Sequence, residues 1–189
     1  MKKLKLQVQM SVDGFVASAN GEMDWIVWDW DKELINYVTE LTNSMDTILL
    51  GRKMTDGFIA SWSNVASDPN NPNYAAGKIF VDTPKVVFTK TLKQSPWDNT
   101  VIATGDLVDE VTSLKNQSGK DLIVYGGASF VSSLIKAGLI DEYHLFVNPA
   151  VLGDGRTIFN QVDGRRDLRL VNVAHFECGI VLLHYEPKQ

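Results

Sequence analysis

The sequence predicts an α/β fold, a mostly parallel mixed sheet that ends in an antiparallel C-terminal hairpin and is flanked by helices. An apolar strand runs directly into a glycine turn and then a helix at residues 47–53, and this arrangement recurs at residues 122–129. Two late strand-like segments, 168–176 and 180–185, surround a short turn at 177–179. Early alternation of strand and helix favours parallel strands, and the late pair adds an antiparallel edge.

Composition limits the classes of protein to which the chain can belong. Its 189 residues, 44% of them hydrophobic, fit one domain spanning residues 1–189. The net charge of -5 argues against a non-specific nucleic-acid binder, and no apolar run is long enough to span a bilayer. The single cysteine, Cys178, excludes an intrachain disulfide, so we expect a cytoplasmic protein. His144, His175 and His184 lack metal-ligand spacing and are interpreted as structural, with no metal expected.

The N-terminal elements follow from side-chain periodicity. Residues 4–10 alternate as a strand does, and residues 11–30 form a loop rich in Gly, Asp and Trp. Asp31 is a plausible N-cap for the next helix. The apolar face of that helix has side chains at helical spacing, namely Leu34, Val38, Leu41 and Met45.

The middle of the chain continues the alternation. Residues 46–50 read as a buried strand, and a short helix begins at Arg52. Residues 61–73, rich in Ser, Asn, Asp and Pro, predict a loop before a further short helix at 74–81.

The remaining elements bring the total to about eight strands and four main helices. The predicted strands are 85–89, 100–103, 121–125 and 142–147, and the predicted helices are one capped by Asp106 and one over 128–137 that Gly138 stops.

Five short motifs occur in order at residues 11–17, 49–53, 124–127, 138–142 and 152–155. The set resembles the dihydrofolate reductase-like superfamily, and within it the reductase domain of the bifunctional riboflavin-biosynthesis deaminase–reductase. The zinc pattern of a deaminase, His-x-Glu followed by Cys-x-x-Cys, does not occur in the sequence. The resemblance covers nearly the whole chain, and it implies a dihydrofolate reductase-like sheet with NADPH lying across the strand ends.

The resemblance also implies which residues contact the cofactor. Glycine turns that open helices attract phosphate, and a 2′-phosphate requires cationic and hydroxyl donors. The implied cofactor-binding residues are Val16, Ala17, Gly51, Arg52, Lys53, Met54, Thr89, Lys90, Thr91, Gly126, Gly127, Ala128, Ser129 and Phe130. Family members often carry threonine where this chain has Met54, with Thr55 one place later. In dihydrofolate reductases the glycines matching Gly126 and Gly127 are joined by a cis peptide, which we expect here if it carries over.

The loop at residues 21–25 is similar to the mobile active-site loop of the superfamily, and Met23 and Trp25 match its methionine and tryptophan. Dihydrofolate reductases place a carboxylate on the first helix. The candidates here are Asp24, Asp29 and Asp31, although Asp31 is equally well explained as a helix cap. Hydride transfer itself needs no protein nucleophile, because the cofactor carries the chemistry.

The resemblance implies an NADPH-dependent reductase acting on 5-amino-6-(5-phosphoribosylamino)uracil or a related small molecule. One alternative is a dihydrofolate reductase acting on a pterin, and another is a non-catalytic dinucleotide-binding or oligomerisation module. A ribose-phosphate substrate would require cations near the nicotinamide, for which Arg156, Arg165 and Arg166 are candidates. The reductase domains that this chain resembles usually form dimers, and the late strands of this chain are apolar. Together these features predict a two-fold homodimer whose interface includes part of residues 142–159.

Overall fold

The computed structural model describes residues 1–188 and contains, within them, eight strands and five helices. The strands are β1 (Leu4–Met10), β2 (Met45–Gly51), β3 (Lys85–Phe88), β4 (Thr100–Ala103), β5 (Asp121–Val124), β6 (Glu142–Val147), β7 (Leu168–His175) and β8 (Val181–Pro187). The helices are α1 (Lys32–Asn43), α2 (Arg52–Ser67), α3 (Tyr74–Asp82), α4 (Leu107–Lys115) and α5 (Ala128–Lys136).

All eight strands form one sheet in the order β4-β3-β2-β5-β1-β6-β8-β7. The first six in this order are mutually parallel, whereas β8 runs antiparallel to β6 and β7 antiparallel to β8. The predicted fold class, a mostly parallel mixed sheet with an antiparallel C-terminal pair, is therefore confirmed.

Helices cover both faces of the sheet, so the central strands are apolar in both directions. On one face, Val111 of α4 and Leu134 of α5 pack with Leu6 and Val124. On the other face, α1, α2 and α3 contribute Leu41, Phe58 and Phe80 to a cluster around Ile48 and Ile123. Among residues 1–188, no helix is long and apolar enough to cross a membrane.

The apolar character of β6 is explained within one chain. This strand lies between β1 and β8, and its first five residues are buried. Phe146 is fully buried against Leu34 of α1. Helix and strand neighbours of the same chain cover β6, so its apolar character is accounted for without a second subunit and the expected homodimer stays a prediction.

Helix α2 is longer than the sequence predicts. Its last turns occupy residues 61–67, so the expected loop at 61–73 is wrong over that stretch. Trp62 of α2 stacks on Phe80 of α3 with ring centroids 4.1 Å apart. This contact supplies tertiary stabilisation that the polar local sequence lacks. The expected cis peptide is also wrong: every peptide bond within residues 1–188, including that between Gly126 and Gly127, is trans.

Candidate active site at the carboxyl edge of the parallel strands

The strand order brings the predicted cofactor segments to one edge of the sheet. Strands β3, β2, β5 and β1 are consecutive and parallel, so their carboxyl ends lie side by side. Thr89, Gly51, Gly126 and Ser11 follow or end these four strands. In open α/β sheets, ligands bind at this edge.

Two helices begin at this edge without a side-chain cap. The N-caps of α2 and α5 are Gly51 and Gly127, and neither helix start has a hydrogen bond from a capping side chain. By contrast, Asp31 caps α1 and Asp106 caps α4. The first N–H groups of α2 and α5 can therefore be satisfied by an anion. Ala128 and Ser129 form the first turn of α5, directly at this position.

Close packing between strand and helix requires glycine at position 51. A Cβ added to Gly51 would lie 2.7 Å from Cβ of Phe130, and the Phe130 ring lies 5.0 Å from the ring of Phe88. The structure thus places Phe130, a predicted cofactor contact, in a packing role beneath the turn, where it brings the starts of α2 and α5 together.

The second glycine turn adopts a backbone that other residues rarely take. Gly126 has φ 151° and Gly127 has φ 82°. A Cβ on Gly127 would lie 3.8 Å from Cβ of Met54, and one on Gly126 would lie 3.6 Å from the Met54 sulfur. Met54 therefore lies beside the turn. The Thr55 hydroxyl is fully buried and donates to the carbonyl of Gly51, so it offers no donor to a ligand.

Two of the three cationic side chains assigned to the cofactor have protein partners. Arg52 forms an ion pair with Asp56 at 2.7 Å, and its guanidinium lies 5.1 Å from the ring centre of Trp97. Lys90 donates to the carbonyls of Thr104 and Gly105. Of the cations assigned to the cofactor, Lys53 is exposed at the start of α2.

The hydroxyl-bearing turn after β3 is folded around Thr89. The buried Thr89 hydroxyl oxygen accepts hydrogen bonds from the Thr91 and Leu92 N–H groups at 3.1 and 3.4 Å. Thr91 is exposed on the same turn.

The loop after β1 is held to the loop after β6. The N–H of Arg156 donates to the carbonyl of Ala17, and the N–H of Val16 donates to the carbonyl of Arg156, both at 2.8 Å. A Cβ added to Gly21 would lie 3.1 Å from the Arg156 guanidinium. Of the three arginines proposed for a phosphate, Arg156 is the one at this loop.

The other two arginines lie elsewhere. Arg165 pairs with Asp167, and Arg166 donates to the carbonyl of Lys136 at the C-terminal end of α5. Since α5 starts at the carboxyl edge, its end lies toward the opposite edge of the sheet.

The carboxylate candidates and the loop residue Trp25 occupy different environments, and Asp29 is exposed. Asp31 accepts from the N–H of Leu34 at 2.9 Å and from the N–H of Cys178 at 3.3 Å. The first of these bonds is the main reason that the pKa of Asp31 is lowered, which holds the carboxyl ionised and opposes a role as a general acid. Asp24 is exposed. Trp25 is half-buried, and its indole nitrogen is buried without a hydrogen-bond partner within residues 1–188.

Two further residues shape the site and were missed in the sequence. The Asp13 carboxylate accepts from the N–H groups of Leu152 and Gly153. The hydrogen bond from the Ser11 hydroxyl and that from Gly153 lower the pKa of Asp13. Fully buried Asn148 accepts from the N–H of Val27. A polar residue directly after the apolar strand β6 is the signal that could have identified Asn148.

Histidines from two strands meet away from this edge. His144 and His184 stack with ring centroids 4.1 Å apart, and Nε2 of His144 lies 3.2 Å from the Glu142 carboxylate. Burial tends to raise the pKa of Glu142, but hydrogen bonds from His144 and Lys3 and the charge of Lys5 lower it to about 2. Burial lowers the pKa of His184.

Comparison with known proteins agrees with this arrangement of elements. The model of the RibD C-terminal domain family matches residues 2–182. The chain belongs to the RibD C-terminal domain family. The uncharacterized protein YyaP of Bacillus subtilis (strain 168) is 35% identical over 187 residues, covering 97% of this chain and 94% of YyaP.

Solved structures share the RibD-type fold. A Shewanella sp. PV-4 protein described as a riboflavin biosynthesis protein superposes with a TM-score of 0.73 at 21% identity, covering 100% of both chains. A Thermotoga maritima diaminohydroxyphosphoribosylaminopyrimidine deaminase/5-amino-6-(5-phosphoribosylamino)uracil reductase superposes with a TM-score of 0.71 at 18% identity. That match covers 99% of this chain and 57% of the Thermotoga chain.

Proposed function

We propose that this chain is an NADPH-dependent reductase similar to the 5-amino-6-(5-phosphoribosylamino)uracil reductase of riboflavin biosynthesis. The observation that carries the proposal is the pair of uncapped helix starts at Gly51 and Gly127, which lie together at the carboxyl edge of a RibD-type sheet. A dinucleotide has two phosphates to offer such a pair. We further propose that the protein acts in the cytoplasm.

The turn residues fit a dinucleotide in a specific way. The left-handed Gly127 exposes its backbone, and the neighbouring N–H groups of α5 have no capping side chain. Met54 closes the turn from the side with an apolar wall. For a 2′-phosphate we propose Arg52, which must leave Asp56 or share its guanidinium with it, and Lys53 and Lys90 beside it.

A bound NADPH would supply a hydride to C1′ of the ribosylamino group; the C1′–O4′ bond breaks, and the ring oxygen takes up a proton to become a hydroxyl, which leaves a ribitylamine. We propose that Trp25 closes over the reacting carbons and excludes water. Its unpartnered indole N–H is a donor that a ligand or an ordered water can satisfy. Asp24 is the acidic candidate for the proton route, since both Asp31 oxygens already accept hydrogen bonds.

We propose that Arg156 binds the anionic end of the substrate. It lies against the loop at Gly21, four residues before Trp25. Among residues 1–188 its guanidinium makes no ion pair or hydrogen bond, in contrast to Arg165 and Arg166. Replacing Arg156 by Ala should raise the KM for a phosphorylated substrate while leaving the Kd for NADPH unchanged.

The cofactor assignment is tested by titrating NADPH and NADH and following the fluorescence of the five tryptophans. We expect tighter binding of NADPH, and Arg52→Ala should weaken it about tenfold or more through loss of a charge-assisted contact. Arg165→Ala, an exposed arginine toward the other edge, is the matched control. Equal affinity for both cofactors would contradict the 2′-phosphate role.

The substrate class is tested by following NADPH oxidation with three compounds. We expect turnover with 5-amino-6-(5-phosphoribosylamino)uracil. Turnover with dihydrofolate would instead favour the pterin reductase, and turnover with simple carbonyls a broader reductase. NADPH binding without turnover of any of the three would favour the non-catalytic dinucleotide-binding module.

We also propose a two-fold homodimer that uses exposed apolar residues of the loop after β6. Val151 and Phe159 are 72% and 37% exposed. Light scattering at micromolar concentration should give twice the 21.0 kDa chain mass. Val151→Glu should shift the protein toward monomer, whereas Val108→Glu on the exposed side of α4 should not. A monomeric wild-type mass ends the dimer proposal.

A further inference from the structure

Strands β6 and β8 bring three metal-ligating side chains together on the face of the sheet beneath α1. In the antiparallel register His144 lies directly opposite His184. Glu142 precedes His144 by two positions and therefore shares its face of the sheet. The ligating atoms of Glu142, His144 and His184 all lie within 4.8 Å of one another.

We propose that Glu142, His144 and His184 form a Zn²⁺ site. Two imidazole nitrogens and one carboxylate oxygen are a ligand set that Zn²⁺ takes, with a water in the fourth position. The site is distinct from the proposed cofactor site. Glu142 begins β6, whereas the cofactor residues follow the carboxyl ends of the strands, so the two lie about 15 Å apart along the sheet.

The distances suit a tetrahedral ion. Metal–ligand bonds of about 2.0–2.2 Å separate neighbouring ligand atoms by roughly 3.3–3.5 Å. Oε2 of Glu142 lies 3.2 Å from Nε2 of His144 and 3.9 Å from Nε2 of His184. The rings are stacked at an interplanar angle of 20°. The His184 ring must turn about its Cβ–Cγ bond to direct its Nε2 lone pair at an ion shared with His144 and Glu142.

One ligand atom has nothing else to bind. Nε2 of His184 is buried and has no hydrogen-bond partner within the part of the chain that the structure describes. A buried polar atom is ordinarily paired, so this nitrogen requires an explanation. An ion held between His184, His144 and Glu142 supplies one.

Neighbouring groups support the ligands from outside. The Tyr37 hydroxyl lies 2.7 Å from Nδ1 of His144, and its oxygen can accept a hydrogen bond from the Nδ1–H group when Nε2 binds a metal. Lys3 donates to Oε1 of Glu142 at 2.7 Å, which leaves Oε2 facing the imidazoles.

The surrounding charges permit a cation. Lys5 lies 3.8 Å from Oε2 of Glu142 but only 2.9 Å from Asp121, and Lys3 also pairs with Glu186. Arg169 also pairs with Glu186, so with neutral imidazoles three carboxylates face three cationic groups and the cluster carries no net positive charge that would repel a cation. An open cleft bounded by Lys5, Tyr37, Glu40, Leu41 and Ser44 adjoins the cluster and offers a route for the ion and its water.

The test uses isothermal titration of the full chain with ZnCl₂ after dialysis against a chelator. Wild type should bind one Zn²⁺ with a micromolar or lower Kd and melt at a higher temperature when loaded, because the ion binds the folded state. His184→Gln and His144→Gln should each weaken binding at least tenfold. His175→Gln is the matched control, since this exposed β7 histidine is outside the cluster. Cys178→Ser, which removes the one thiol, should also bind one Zn²⁺.

A further variant and a spectroscopic measurement keep the proposal testable if a histidine variant fails to fold. Tyr37→Phe retains all three ligands and should weaken Zn²⁺ binding about 10–100-fold by removing the outer hydroxyl. Wild type loaded with Co²⁺ should show the intense visible absorption of a tetrahedral site. No binding by wild type at 100-fold excess of ZnCl₂ over about micromolar protein, or undiminished binding by folded His184→Gln, overturns the proposal.

Discussion

The buried amide of Asn148 accepts a hydrogen bond from the backbone N–H of Val27 at 2.9 Å. Its amino group donates to the Gln9 side chain at 2.7 Å. One side chain at the end of β6 thus ties the tryptophan-rich loop to the central strand β1. The hydrogen bond from Val27 anchors the loop at that residue, so the closure that we propose for Trp25 would involve the residues before the anchor.

Asn148→Ala should destabilise the protein by about 1–3 kcal/mol, because it leaves the half-buried Val27 N–H and the half-buried Gln9 side-chain carbonyl without their partner. Urea unfolding followed by tryptophan fluorescence measures this loss, and the Val27 amide should exchange faster. Asn172→Ala, on exposed β7, should change stability by less than about 0.5 kcal/mol. Equal effects of the two substitutions would show that the anchor carries no stability.

Gly51 and Gly57 should respond oppositely to alanine. Gly51→Ala places a Cβ 2.7 Å from Cβ of Phe130 and should cost about 1–3 kcal/mol through overpacking. Gly57 lies inside α2 with open space around it, so Gly57→Ala should stabilise the protein by about 0.5–1 kcal/mol. Thermal or urea unfolding of both variants measures these two changes in stability. A neutral Gly51→Ala would contradict the tight packing between strand end and helix.

Gly127→Ala and Gly164→Ala form a strain-matched pair. Their φ angles are 82° and 79°, so each alanine should cost about 1–2 kcal/mol of stability. Only Gly127 lies at the start of α5. We therefore expect Gly127→Ala to weaken NADPH binding tenfold or more and Gly164→Ala to leave it unchanged. Unchanged NADPH affinity in a folded Gly127→Ala protein would rule out close approach of the pyrophosphate to this turn.

Asp46 makes a contribution to the free energy of unfolding that is lost at acidic pH. Burial tends to raise the pKa of Asp46, but hydrogen bonds from Lys2, Thr47 and the Lys120 N–H lower it below 3.8. The unfolded carboxyl binds its proton more readily, so this stability is full above about pH 4 and is lost as the pH falls through the lower folded pKa.

Asp46→Asn should therefore lower the urea midpoint at pH 7 and flatten its decline toward pH 3. The loss at pH 7 should be about 1–2 kcal/mol, since Lys2 is buried while Asp46 is partly screened by solvent. Asp163→Asn is the control, because its pair with Lys136 is exposed and contributes little. An unchanged pH profile for Asp46→Asn would contradict the assignment.

The sequence alone determined the elements whose signals are local. Alternation defined β1 at Leu4–Met10, and the capping side chains of Asp31 and Asp106 marked the starts of α1 and α4. The glycine turns at Gly51 and Gly127 could be located because each interrupts an apolar strand directly before a helix. These features depend on residues that are close together in the sequence, so they can be recognised from the sequence alone.

The tertiary structure decided the features that depend on distant contacts. The length of α2 rests on the packing of Trp62 against Phe80, and the polar sequence around Trp62 suggested a loop. The proximity of Arg156, and not of Arg165 or Arg166, to the loop at Gly21 depends on which loops the fold brings together. No local pattern encodes either contact.

The cluster of Glu142, His144 and His184 shows the same difference between what the sequence determines and what the tertiary structure decides. The sequence spaces Glu142 and His144 two residues apart, which places them on one face of any strand. His184 lies 40 positions from His144, and only the antiparallel register of β6 and β8 sets it opposite that residue. A register shift of one residue would turn His184 to the other face of the sheet. The sequence therefore placed these three side chains on two strands without indicating that they meet, and only the pairing of the strands made them neighbours.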